Sequence, residues 1–117
     1  MIVTVKHIDN ESITFSNDYT LTSYHDVSCC EHHELTLNDL KLEDFDGLEF
    51  DLSNDNFFNR IEDYGIELVP IKGWSVKIPG HGYNNGYYND NLDLVIYDNT
   101  GKEFKRFDIT ECQVITE

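Results

Sequence analysis

A chain of 117 residues suits one domain with a real but modest core. Its 39% hydrophobic and 13% aromatic content excludes global disorder. Twenty-three acidic against eight basic residues give a formal net charge of −15, which has the wrong sign for direct binding of DNA or RNA phosphates.

The first ten residues, MIVTVKHIDN, lack the basic start, apolar stretch and small-residue cleavage site of a secretory signal. No run approaches the ~20 apolar residues of a membrane span. The expectation is a soluble, cytoplasmic protein. Three cysteines, an odd number, argue against a disulfide framework in a reducing compartment. Residues 2–8 (IVTVKHI) are rich in β-branched side chains and read as a strand, with His7 on its surface. A polar turn (DNE) leads into a second strand, residues 12–15 (SITF), and residues 19–25 (YTLTSYH) alternate threonine with larger side chains as a third. Residues 38–48 (NDLKLEDFDGL) predict a short helix, capped by Asn38 or Asp39 and ended by Gly47. Residues 66–78 (IELVPIKGWSVKI) predict two strands broken near Pro70 and Gly73, and residues 80–91 (GHGYNNGYYNDN) a loop. Leu92, Leu94 and Ile96 then share one face of a strand, and the NTG turn leads into a last extended region, residues 102–115. The expected fold is α+β: one domain over 1–117, β-rich, mostly antiparallel, with one or two short helices and a zinc site as staple.

Zinc is suggested by residues 25–34, HDVSCCEHHE, which hold three of the five histidines and two of the three cysteines. A structural zinc takes four nitrogen or sulfur ligands in a tetrahedron. His25, Cys29 and Cys30 offer three within six residues, and His81 is the expected fourth, with His32, His33 and Cys112 as alternatives. Two adjacent cysteines can both ligate only if the backbone departs from a plain strand, where they would face opposite sides. The bland readings compete: Cys112 as a small buried hydrophobe, and His32 and His33 as solvated residues. A catalytic cysteine served by His25 or His81 with Asp26 ranks lower, since local negative charge raises a thiol pKa. Tyr83, Tyr87 and Tyr88 could line a pocket beside His81, but turn and packing roles explain them as well.

The YHDVSCCEHHE stretch resembles the His-Asp-x-x-Cys-Cys-Glu motif of a family of small phage and bacterial proteins that carries no assigned activity. The GHGYNNGYYNDNLDLVI stretch is similar to that family's second motif, a glycine and then Ser-Asn-Gly-Tyr-Tyr-Ser before a strand. The DFDGLEFDL stretch resembles the segment between them, so the likeness runs from about Tyr24 to Ile96. By position His25, Asp26, Cys29, Cys30 and Glu31 match the first motif, and Asn85, Gly86, Tyr87 and Tyr88 the second. Asn84 and Asn89 stand where the family has serines. The resemblance implies that the two motifs belong together in space. By class rather than motif, the chain also resembles zinc-containing anti-CRISPR inhibitors of the type II RNA-guided nuclease.

Residues 31–68 carry 12 acidic and 2 basic groups, whereas residues 68–89 carry no acidic group. An acidic face so concentrated can be steered to a basic protein surface. Asp39, Glu43, Asp44, Asp46, Glu49, Asp51 and Asp55 are the expected contact residues. The functional expectation is a zinc-binding acidic inhibitor, not an enzyme, that binds the type II CRISPR nuclease. The alternatives are a metal- or cysteine-dependent enzyme, or a structural domain of a mobile element.

Overall fold

Short runs of β-branched and aromatic residues, punctuated by Asp, Asn and Gly turns, dictate a chain built of strands. The computed structural model describes residues 1–25, 32–83 and 91–116, with only the backbone at His32. Cys29, Cys30 and the Asn85–Tyr88 motif therefore lie outside the described residues. The strands are β1 (Ile2–Val3), β2 (Val5–Ile8), β3 (Ser12–Phe15), β4 (Thr20–Tyr24), β5 (His32–Leu35) and β6 (Phe50–Asp51), followed by β7 (Phe58–Ile61), β8 (Gly65–Leu68), β9 (Val76–Tyr83), β10 (Asp93–Tyr97), β11 (Glu103–Asp108) and β12 (Val114–Thr116). One sheet runs β11-β10-β4-β3-β2, with every pair antiparallel. A second runs β12-β9-β8-β7, with β5 added to β9 and only the β12–β9 pair parallel. β1 pairs β6 apart from both.

β9 organises the second sheet. Val76, Ile78, Gly80 and Gly82 point inward, while Lys77, His81 and Tyr83 point out to solvent. Its first half pairs with β8 and its second half with both β5 and β12. Gly80 and Gly82 are what allow the chain before β12 to lie so close. A Cβ at Gly80 would strike the carbonyl of Cys112, and one at Gly82 would strike His33 and Gln113. The core gathers Ile13, Phe15 and Leu21 of the first sheet with Ile66, Leu68 and Ile78 of the second, all at most 1% exposed. Phe45, Phe50 and Phe15 meet edge to face within it.

The β-rich, antiparallel character expected from the sequence is present. The predicted helix over 38–48 is not: the chain makes only a 3₁₀ turn at Leu42–Phe45, and a second at Asp55–Phe57. Asp44 accepts the Lys41 N–H at 2.9 Å, so the turn starts at Lys41 rather than Asn38 or Asp39. Gly47 then takes φ +76°, which ends it. Only Phe45 of that turn is buried, too little apolar surface to hold a longer helix. The single extended region expected over residues 102–115 is instead interrupted at Ile109–Gln113, between β11 and β12, where Cys112 N–H donates to Ile109 O. No helix among the described residues is long and apolar enough to cross a membrane.

Candidate metal centre and docking face

His25 follows β4 directly and is 8% exposed, and His33 lies in β5 and is 4% exposed. Their rings lie with centroids 4.4 Å apart, tilted at 57° to each other. The solvated role expected for His33 is therefore corrected. It alternates with Leu35 and Leu37, both 3% exposed, so the strand's inward face carries it into the interior. Each ring is fixed through Nδ1. His25 Nδ1 lies 2.5 Å from the carbonyl oxygen of Asn91, and His33 Nδ1 lies 2.7 Å from Gln113 Oε1. A backbone carbonyl can only accept, so His25 Nδ1 carries the proton. Gln113 spends its amide N–H on Thr110 O at 2.8 Å, which leaves its oxygen for His33 and makes His33 Nδ1 a donor too. In the neutral ring the lone pair then sits on Nε2. Nε2 is buried in both rings, and that of His33 has no hydrogen-bond partner among the described residues.

His81 does not join them. It stands opposite Glu34 in the β5–β9 pairing, whereas His33 stands opposite Gly82. Opposed residues share a face and neighbours alternate, so His81 is exposed on the other side of the sheet from His33. Cys112 is 2% exposed, and burial pushes its thiol pKa up. Among the described residues no group of three or more His, Cys, Asp or Glu side chains is gathered tightly enough to hold a metal.

The ends of the two motif segments coincide. Tyr83, the last residue before one segment, pairs with His32, the first described residue after the other. Asn91, the first described residue after the second segment, accepts from His25, the last before the first. Two residues on from Asn91, Asp93 pairs with Tyr24. The described residues that flank 26–31 thus lie against those that flank 84–90.

A second surface lies along residues 39–55. Asp39, Glu43, Asp44, Asp46, Glu49 and Asp55 are exposed, and Asp51 is half-buried. Asp51 accepts Ser53 N–H, which holds its carboxyl below the usual range, with the amino terminus 3.4 Å away. Asp55 pairs with Lys105 at 2.6 Å. The carboxylates of Asp39, Glu43, Asp46 and Glu49 have no hydrogen-bond or ion-pair partner among the described residues. Trp74 is 58% exposed, and its indole N–H donates to Asp44 O at 3.1 Å, tying the ring's polar edge to this segment. Ile71 N–H donates to Glu49 O, and Ile71 and Ile2 line one cleft with Asp51. Leu42 is also exposed, and lines a separate cleft with Lys41, Glu43 and Asp46. The sequence marked the charges, but nothing in its pattern set Trp74 beside them.

The chain matches no protein-family model, no curated protein and no solved structure.

Proposed function

We propose that the protein is an acidic docking protein that inhibits a nucleic-acid enzyme by covering its basic surface, with a bound zinc ion fastening one end of its fold. One observation carries the reading: an exposed tryptophan whose indole N–H is tied to the acidic 39–55 segment, where Asp39, Glu43, Asp46 and Glu49 form no ion pair with a described cation. Exposed apolar side chains rimmed by polar groups mark interaction sites. Tryptophan is the residue most enriched among those that dominate binding energy. Excess negative charge around it selects a basic partner and speeds encounter.

The resemblance by class points to the type II RNA-guided DNA nuclease of a bacterial host as the partner. Such nucleases hold their heteroduplex in a positively charged channel. The protein acts there by occupancy and needs no catalytic residue. The zinc reading rests on His25, Cys29 and Cys30 of the first motif, a ligand density that the rest of this chain does not repeat.

The test is DNA cleavage by purified nuclease, guide and target, with the protein added before or after guide loading. Inhibition is expected. Trp74→Ala should weaken the complex by ~2 kcal/mol or more, chiefly through faster dissociation. Glu43, Asp46 and Glu49 reversed together to lysine should slow association, as should added salt. Cleavage undiminished by a large excess in both orders of addition rules out this partner. Inhibition that survives both sets of substitutions rules out this surface.

A further inference from the structure

The two buried imidazoles have a chemistry that the docking reading leaves unused. We infer that His25 and His33, through their Nε2 atoms, supply two ligands to a Zn²⁺-class ion, so that His33 takes the place the sequence assigned to His81. The inference rests on the zinc part of the reading above and names a ligand set for it.

Three observations carry it. First, both rings have Nδ1 engaged by carbonyl oxygens, Asn91 O for His25 and Gln113 Oε1 for His33. Metal-bound histidines are held in the same way, by a carbonyl or carboxylate on the far nitrogen that fixes tautomer and orientation. Second, His33 is 4% exposed, and its Nε2 is buried with no hydrogen-bond partner among the described residues. A buried lone pair with nothing to accept from is costly, and a cation relieves that cost. Third, Asn91 Oδ1 is a buried acceptor in the same condition, on the residue whose main chain holds His25. Neither atom can donate to the other. Buried lone pairs without a donor call for a Lewis acid, and two imidazoles with ring centroids 4.4 Å apart select zinc and its neighbours over magnesium or calcium. Gly82 belongs to the device, because a side chain there would displace the His33–Gln113 pair.

The experiment uses the full chain with ¹⁵N-labelled histidine, stripped of metal and titrated with Zn²⁺, with stoichiometry read by native mass spectrometry. One ion per chain is expected, with large shifts of Nε2 in both His25 and His33. Nδ1 of both should stay protonated, and His7 and His81 should be unmoved. This readout needs no variant to fold. In the variant arm His81→Ala should bind zinc as the parent does. Gln113→Leu should bind roughly 10–100-fold more weakly, as when an outer partner of a ligand is lost, and His33→Ala more weakly still. Zinc bound with either His25 or His33 unmoved overturns this ligand set and leaves the zinc reading standing. No zinc bound at all overturns both. Neither result bears on docking at Trp74, which the cleavage assay decides.

Discussion

The most exacting perturbation is one methyl group at Gly82. A Cβ there would lie within contact distance of His33 Nδ1 and Gln113 Oε1, two atoms that are hydrogen-bonded to each other at 2.7 Å. Both residues are at most 4% exposed, so neither side chain can swing into water to make room. Two costs follow in Gly82→Ala. Forcing a methyl into a packed site costs typically ~1–3 kcal/mol. Parting the buried pair strands a donor and an acceptor, about 1–3 kcal/mol more. The expected loss is therefore about 2–6 kcal/mol in metal-free protein, read as a lower denaturant midpoint at unchanged slope. Gly101→Ala is the control: φ there is +84°, but nothing lies within 4 Å of the added Cβ, so only the backbone term of roughly 1–2 kcal/mol applies. Equal losses at Gly82 and Gly101 would refute the steric argument and with it the tight seat of His33 against Gln113.

Leu94, fully buried in β10 between β4 and β11, should cost about 2–5 kcal/mol on substitution by alanine, measured by denaturant unfolding. Cys112 should resist thiol reagents in the folded chain and react only on unfolding, because burial raises its pKa; peptide mapping after a timed pulse checks this. Asp9, Asp98 and Asp108 are held below the ordinary value of 3.8, Asp9 first by the Glu11 N–H, Asp98 by the Thr100 hydroxyl and Asp108 by the Thr110 hydroxyl. A lowered folded pKa stabilises above the ordinary value and stops doing so as pH falls through the folded one, so these turns should weaken in acid below that value. Thr110→Val should return Asp108 toward the ordinary value in a carboxylate titration followed by NMR.

Strand content was legible where the sequence alternates cleanly. Ser12–Phe15, Thr20–Tyr24 and Asp93–Tyr97 lie within the expected runs, and the break near Pro70 and Gly73 separates β8 from β9. The helix over 38–48 was misread because its leucine spacing fits more than one period, while its Asp, Asn and Gly residues favour turns. The solvated reading of His33 failed for a related reason. A polar-looking EHHEL stretch hides a period of two, His33–Leu35–Leu37, that marks a buried face. Gly80 and Gly82 continue the inward series Val76–Ile78 of β9, which sends His81 outward. Glycines suggested a loop, yet here they are strand residues made small by the close approach of Cys112 and Gln113. The Trp74 surface was illegible because it depends on a contact between residues 30 apart in the chain.

The two candidate sites stand at opposite ends of one strand. Trp74 lies two residues before the start of β9 at Val76, and Tyr83, at its end, pairs with His32 beside the histidine pair. Seven steps of about 3.3 Å separate Val76 from Tyr83, or roughly 23 Å. That is more than twice the screening length of about 8–10 Å at ordinary salt. A divalent ion at the histidines would therefore add little to the potential felt at the Val76 end of β9. On the proposed reading, any link between metal and docking runs through folding: removal of the proposed ion would lower the fraction of chain that is folded, and apparent affinity would fall by that fraction. The dissociation rate of the complexes that still form should be unchanged. A chelated protein that dissociates faster would mean that β9 transmits a structural change along its length, and the two ends would have to be treated as one site.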